Sequence, residues 1–251
     1  VDMKYMDYFC LDAVGNVSAA TGALVVCPAA QVLTGSKGKT QPCWKAFEHY
    51  GYCLDGAVED AEDVGFVASL MGHLKDKYAI PSGRTIVSGH SNGGSMAFRF
   101  YCEKAELFDG LVIQSQAYFD PYVGFYDNEN QRVPTGTPQC HPTIKRPFYS
   151  DVGTQDEYYG PNASTAGFVA IDKWRQNFST AVLNCTGDVV ETSQGPHDFP
   201  QGTSRCFEYP SCAGVAATGI NRFCSVSGMH HDASGLETLL PRAFADFFGS
   251  D

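Results

Sequence analysis

One ten-residue stretch restricts the fold of this chain more than any other feature. Residues 85–94 read Thr-Ile-Val-Ser-Gly-His-Ser-Asn-Gly-Gly, and they join a predicted strand, Arg84–Ser88, to a predicted helix, Asn92–Leu107. A Gly-x-Ser-x-Gly pattern in this context places the serine on a strained turn at the end of a sheet. Glycine is expected at positions 89 and 93 because the helix packs tightly on the strand there. We therefore predict that Ser91 is a nucleophile whose hydroxyl projects above the sheet.

Short apolar strands alternate with amphipathic helices along the rest of the chain. Such alternation is typical of a mostly parallel sheet that is covered by helices on both faces. No repeat, low-complexity tract or linker divides the chain, so we expect one three-layer α/β domain over residues 1–251. The other predicted strands are Ala23–Cys27, Gly110–Gln114, a strand starting near Pro147, Ser204–Tyr209 and Arg222–Val226.

Composition excludes several classes of protein. Hydrophobic residues make up 43% of the 251 residues, and aromatic residues 13%, which is enough to form a core. The formal net charge of −11 disfavours binding to nucleic acid or to anionic lipid. No apolar run approaches the ~18 residues that span a bilayer, so we expect no membrane insertion.

The cysteines point to an oxidising compartment. There are 10 of them, an even number, and none has the Cys-x-x-Cys spacing of a zinc or redox site. Disulfides in a secreted protein are the better explanation. We expect Cys206 and Cys224 to pair, because they lie on two strands that we expect to be neighbours. Four Asn-x-Ser/Thr sequences agree with secretion and are candidate glycosylation sites: Asn16, Asn162, Asn177 and Asn184.

A serine nucleophile needs a base, and hydrolases with this serine motif place the acid and the histidine after the serine. Only His230 and His231 lie between the last predicted strand and the last predicted helix. We favour His230 because it comes first after the turn at Gly228, with His231 as the alternative. A surface cluster or a metal site is the competing interpretation of the pair, but no further ligand at suitable spacing supports a metal.

The loop after the strand near Pro147 offers three candidates for the acid: Asp151, Asp156 and Glu157. Catalytic side chains emerge at the carboxyl ends of strands in an open sheet. Asp156 lies just past Gly153, beyond the strand but close to its end. We therefore favour Asp156 as the residue that would orient the imidazole.

Several motifs resemble one family of enzymes. Asp60-x-x-Asp63-Val64-Gly65-Phe66, the segment 88–96, Tyr209-Pro-Ser-Cys212 and Gly228-Met-His230 resemble the secreted poly(3-hydroxybutyrate) depolymerases and feruloyl esterases. The resemblance covers nearly the whole chain. It implies an α/β-hydrolase fold with Asp156 as the triad acid and the backbone N–H of Asn92 as one oxyanion donor. It also implies two disulfides, Cys102–Cys140 and Cys185–Cys212.

The resemblance also identifies a departure. In the family, a strand ending in His-Gly precedes the helix that corresponds to residues 1–20, and the loop after it gives the second oxyanion donor. The 251 residues contain no such strand. The alternatives are a separate N-terminal peptide that supplies this strand, an oxyanion hole built differently, and an inactive protein.

Aromatic residues near the predicted site suit a phenolic acid, a sugar ring or a hydrophobic polyester, although many of them are expected to pack in the core. We expect substrate contacts from four residues: Trp44, His90, Tyr118 and Tyr158. The sequence thus predicts a secreted serine carboxylic-ester hydrolase that needs no cofactor. A peptidase or lipase is the rival on the same scaffold. The alternative in another class is an inactive hydrolase fold with an extracellular carbohydrate-binding or structural role.

Overall fold

A computed structural model of the protein describes a defined set of residues, and the statements below refer to them. They are residues 15–34, 40–44, 46, 62–115, 140–157, 175–176, 178–192, 198–199, 202–213, 220–231 and 236–249.

A seven-stranded sheet forms the centre of the molecule. The strands are β1 Val32–Thr34, β2 Thr40–Pro42, β3 Ile86–His90, β4 Gly110–Gln114, β5 Phe148–Gly153, β6 Val190–Thr192, β7 Asp198–Phe199, β8 Gly202–Glu208 and β9 Asn221–Val226. The order in the sheet is β3-β4-β5-β9-β8-β6, with β7 paired to β8. The strands β3, β4, β5 and β9 are parallel to one another, and the remaining pairs are antiparallel. The first two strands form a separate ribbon before the sheet.

Three long helices accompany the sheet: α1 Asp63–Tyr78, α2 Asn92–Lys104 and α3 Leu236–Phe248. One apolar cluster lies between the sheet and α2, with Phe98, Tyr101 and Phe148 among its buried residues. A second cluster packs Tyr149 against Leu239 and other residues of α3. Consecutive residues of β5 point to opposite faces, so the sheet is covered on both sides. The predicted three-layer arrangement with a mostly parallel sheet is confirmed.

One predicted strand is absent. Residues 22–31 include the apolar segment Ala23–Cys27, and they have no regular secondary structure. Leu24 and Val26 are 52% and 42% exposed. A strand requires a partner for its backbone groups, and among the described residues no strand pairs with this segment. The strand prediction was therefore wrong at this point of the chain.

Disulfides join the elements as expected. The three pairs Cys102–Cys140, Cys185–Cys212 and Cys206–Cys224 are all formed. The last pair joins residues that face each other in the register of β8 and β9. Cys27 and Cys43 are disulfide-bonded as well. No described helix has the length and apolar character needed to cross a membrane.

Candidate active site

Ser91 lies on a strained turn between β3 and α2. Its φ is 51° and its ψ is −120°, a conformation that a residue with a side chain rarely adopts. The backbone N–H of Ser91 donates to the carbonyl oxygen of Gln114 at 3.1 Å, which fixes the turn to the end of β4. Ser91 occupies the N-cap position of α2 but makes no capping hydrogen bond with its side chain. The hydroxyl is therefore available for another contact.

The two motif glycines differ in their surroundings. A Cβ on Gly89 would overlap the carbonyl group of Gly93, so the close packing predicted at this position is present. A Cβ on Gly93 would meet nothing within 4 Å. The steric reason given for the second glycine was therefore wrong, because the first turn of α2 is open on that side.

His231, and not His230, reaches the serine. The Nε2 atom of His231 lies 2.9 Å from Ser91 Oγ, and its Nδ1 atom lies 3.1 Å from Asp156 Oδ2. The His230 side chain is 63% exposed, and its Nδ1 atom lies 3.7 Å from Glu157 Oε2. The preference for His230 is thus corrected. Met229 is fully buried, the His230 side chain points into solvent, and the His231 side chain is 11% exposed, so the three consecutive residues alternate between interior and surface.

Asp156 lies behind the imidazole, as the sequence analysis expected. It is 2% exposed, and its carboxylate contacts His231 Nδ1 just beyond the end of β5. Since a carboxylate only accepts hydrogen bonds, His231 carries its proton on Nδ1 and presents Nε2 as an acceptor to the Ser91 hydroxyl. The structure therefore brings the side chains of Ser91, His231 and Asp156 into one continuous chain of contacts.

Backbone hydrogen bonds hold the loops of Asp156 and His231 together. Thr154 N–H donates to Val226 O at 2.9 Å, and Gln155 N–H donates to Met229 O at 3.1 Å. Gly228 N–H donates in turn to Thr154 Oγ1 at 3.1 Å. These bonds continue the pairing of β5 with β9 beyond the strand ends, and this continuation places the acid beside the histidine.

Glu157 borders the site but stays in solvent. Its carboxylate accepts a hydrogen bond from the backbone N–H of His231 at 3.3 Å. Hydrogen bonds from its own backbone N–H and from that of His231 lower the pKa of Glu157. Glu157 therefore contacts the backbone of His231 and not its imidazole. The imidazole Nδ1 is directed at Asp156 instead.

Asn92 joins the elbow to the segment that contains Trp44. Its Oδ1 accepts from Trp44 N–H at 2.9 Å, and its Nδ2 donates to Trp44 O at 3.1 Å. The backbone N–H of Asn92 belongs to the first turn of α2, where N–H groups have no partner within the helix. The family resemblance predicts that this N–H is an oxyanion donor. Trp44 N–H is already engaged and is not a second donor.

A cavity of about 780 Å³ extends along β3, next to the elbow. Its lining includes Trp44, His90 and Gly93 near the serine, and also the segment Ala23–Cys27. Among the described strands, β3 pairs only with β4, so its other edge faces this cavity. The His90 ring also lies 4.9 Å from the His231 ring, between centroids, at an angle of 41°. Trp44 and His90 are thus near the candidate site, as expected.

A second carboxyl group near the site is Asp151, a candidate acid that was expected on the loop after β5 but lies within the strand itself. Asp151 of β5 is fully buried, and Gln114 Nε2 donates to its Oδ2 at 3.0 Å. Burial, with a smaller contribution from the charge of Asp156, raises the pKa of Asp151 to about 7 despite the hydrogen bond from Gln114 and the nearby charge of Arg175. An acidic residue within an otherwise apolar strand was the available signal.

The structure describes only some of the other candidate residues. Tyr118, Tyr158, Asn162 and Asn177 lie outside the described residues. Asn16 and Asn184 are described and exposed, so both are accessible to modification. Within the described ranges no group of three or more His, Cys, Asp or Glu side chains is arranged to hold a metal ion.

Solved structures share this architecture. A variant of SOBER1 from Arabidopsis thaliana superposes with a TM-score of 0.52 at 11% sequence identity, over 94% of this chain and 90% of that one. The chain has an α/β-hydrolase fold. An acetyl xylan esterase from Aspergillus awamori is also similar, with a TM-score of 0.46 and 14% identity over 73% of this chain and 68% of that one. No protein-family model matches the chain, and no curated protein matches it by sequence. At these identities the α/β-hydrolase comparison describes the fold alone.

Proposed function

We propose that this chain is a serine carboxylic-ester hydrolase that uses Ser91, His231 and Asp156 as its triad. One observation carries the proposal: His231 contacts Ser91 Oγ through Nε2 and Asp156 through Nδ1, at 2.9 and 3.1 Å. These are the two hydrogen bonds that turn a weakly nucleophilic hydroxyl into an attacking group. The strained backbone of Ser91 adds support, since such strain is concentrated at functional turns.

Acylation follows from this geometry. Ser91 Oγ attacks the ester carbonyl carbon while His231 Nε2 takes the hydroxyl proton. The carbonyl oxygen becomes an oxyanion, which the backbone N–H of Asn92 stabilises. The C–O bond of the ester then breaks, and His231 gives its proton to the leaving alcohol. Asp156 stays ionised and holds the imidazole in orientation throughout.

Deacylation reverses these roles with water. His231 removes a proton from a water molecule, which attacks the acyl carbon bound to Ser91. The second oxyanion collapses, the carboxylic acid leaves, and the proton returns to Ser91 Oγ. No cofactor takes part in either half of the reaction.

The proposed substrate is a polyester or a phenolic or acyl ester of a polysaccharide. Trp44 and His90 support this choice, because they place aromatic surface next to the elbow, where a ring or an apolar acyl chain can pack. We propose secretion as well. The disulfides support it, since such bonds persist in oxidising compartments.

The test uses the oxidised protein with p-nitrophenyl acetate and a fluorophosphonate probe. We expect turnover of the ester and covalent labelling at Ser91. Ser91→Ala should lose both, and Ser88→Ala, three residues earlier at an exposed position of β3, should keep both. Correctly folded protein that neither turns over ester nor takes the label would favour the alternative, a hydrolase fold with a binding or structural role.

We also propose that the outer edge of β3 binds one extended peptide as an added strand. Ser91 N–H donates to a residue of β4, and Thr85 O accepts from one, at 3.1 and 3.2 Å. Because backbone groups alternate along a strand, those of Ile86 and Ser88 point into the cavity. The apolar segment Ala23–Cys27 lines the same cavity. A strand edge that no described strand covers is a template for strand addition.

A capped peptide of seven alternating valine and threonine residues tests this binding. We expect it to raise the melting temperature and to change the fluorescence of Trp44. Ser88→Pro removes one outward N–H and is compatible with an edge position, so this variant should bind the peptide at least tenfold more weakly than Ser88→Ala. Equal affinity of the two variants, or no binding to either, would contradict the proposal.

A further inference from the structure

The buried pair Asp151 and Gln114 lies directly beneath the elbow and has no part in the triad. Gln114 bonds to the strands on either side of β4. Its backbone oxygen accepts from Ser91 N–H at 3.1 Å, just after β3, and its Nε2 donates to Oδ2 of Asp151 in β5 at 3.0 Å. In the register of the sheet, His90 faces Gln114 and Gln114 faces Asp151. One residue therefore connects the backbone of the serine to a buried carboxyl group.

The surroundings of this pair are apolar. Asp151 faces Cys224 in the register of β5 and β9. It lies on the same face of β5 as Tyr149, and both Cys224 and Tyr149 belong to the apolar cluster packed against α3. Among the described residues, the charged groups that act on Asp151 are Arg175, which favours its ionised form, and Asp156, which opposes it. Arg175 hydrogen-bonds to Ser225 Oγ and to Cys224 O, and it packs over the Phe223 ring. These contacts direct the guanidinium toward β9.

Two polar atoms of the pair lack partners within the described part of the chain. They are Asp151 Oδ1 and Gln114 Oε1, and both are buried. When the acid is ionised both atoms are acceptors, so neither can donate a hydrogen bond to the other. One proton on Oδ1 changes this, because a carboxylic acid and a primary amide can form two hydrogen bonds in a ring, N–H to Oδ2 and O–H to Oε1.

We infer that Asp151 is a positioning residue that holds the elbow through Gln114 when its carboxyl is protonated, and that releases it and adds a charge beneath Asp156 when it ionises. In the protonated form the acid–amide ring fixes the end of β4, to which Ser91 N–H is bonded. In the ionised form the ring has lost its second hydrogen bond. The new negative charge also lies close enough to Asp156 for the two carboxylates to repel each other. The raised pKa of Asp151, about 7, places the change in the neutral range.

The test compares Asp151→Asn with the wild type across pH. An asparagine can form the same two hydrogen bonds with Gln114 at every pH, so the variant imitates the protonated acid. We expect the rates of fluorophosphonate labelling at Ser91 to agree within about twofold at pH 6. The ratio of variant to wild type should rise about three- to tenfold by pH 8.5, with a midpoint near 7. Ser150→Ala, a change at a neighbouring buried position of β5, should give a flat ratio of about one.

This labelling measurement rests on the proposed function, because it requires a reactive Ser91. A second measurement does not require that function. Infrared difference spectra of the wild type between pH 6 and 8.5 should show the loss of a protonated carboxyl band that Asp151→Asn lacks. A flat labelling ratio for Asp151→Asn, or the absence of that band from the wild type, would overturn the inference. If the band is present and Ser91 takes no label at any pH, the ester hydrolase proposal fails and the protonation of Asp151 remains established.

Discussion

The backbone of Gly153 lies against the carbonyl group of Met229, so closely that a Cβ on Gly153 would overlap it. Gly153 ends β5, and Met229 follows β9. Asp156 and His231 follow these two residues by three and two positions. The distance between the acid and the base is therefore set by a backbone contact that only glycine permits.

Gly153→Ala should separate the two loops. The added methyl group cannot be accommodated without backbone movement, and overpacking of this kind costs about 1–3 kcal/mol of the free energy of unfolding. We also expect at least a tenfold loss of kcat/KM with p-nitrophenyl acetate, since His231 shifts relative to Asp156. Urea denaturation and steady-state kinetics measure the two effects. An alanine variant with full activity would mean that the contact does not position the triad.

The neighbouring histidines give a direct comparison. His231→Ala removes the contact to Ser91 and should lower kcat by about 10³-fold or more. His230→Ala removes only an exposed side chain and should stay within about threefold of the wild type. Steady-state kinetics with p-nitrophenyl acetate decide between them. The reverse ranking would restore the assignment of His230 as the base.

The neighbouring acids allow a similar test. Asp156→Asn keeps the shape of the side chain but presents an amide to His231 Nδ1, which favours the wrong tautomer, so kcat should fall by about 10⁴-fold. Glu157→Gln alters an exposed carboxylate that contacts His231 only at its backbone and should change kcat less than about threefold. Melting temperatures of both variants show whether a loss of activity reflects unfolding. Comparable losses in the two folded variants would argue against Asp156 as the orienting acid.

The two glycines of the elbow should respond differently to the same substitution. Gly89→Ala forces a Cβ onto the Gly93 carbonyl group and should destabilise the protein by about 1–3 kcal/mol. Gly93→Ala adds a methyl group in open space within a helix and should be neutral or stabilising by up to about 1 kcal/mol. Denaturant midpoints give both values. Similar destabilisation by both changes would show that the first turn of α2 is tighter than described.

Stability should depend on pH through Asp151. Burial raises the pKa of this carboxyl from 3.8 to about 7, so between these values the folded state binds more protons than the unfolded state. The free energy of unfolding therefore falls as pH rises from about 4 to 7, by roughly 1.4 kcal/mol per pKa unit. Asp151→Asn removes this dependence, and its melting temperature relative to the wild type should rise by about 5 °C or more between pH 4.5 and 8. The same change of melting temperature with pH in both proteins would contradict this prediction.

The sequence alone determined the parts of the molecule that depend on local structure. The strand and helix around Ser91 follow from residues that are close in the chain, so the elbow was predictable, although β3 begins two residues later than expected. The pairing of Cys206 with Cys224 followed from the expectation that β8 and β9 are neighbours. Asp156 followed from its place just beyond a strand end.

Only the tertiary structure decided which histidine reaches the serine. Contacts with the end of β5, a strand far away along the chain, bury Met229 and hold its loop so that His231 faces Ser91 while His230 stays in solvent. The same dependence on distant partners explains the other differences. Ala23–Cys27 is apolar, but it forms no strand among the described residues because no described strand lies beside it to share backbone hydrogen bonds. Asp151 has a raised pKa because the elements packed around it bury its carboxyl group.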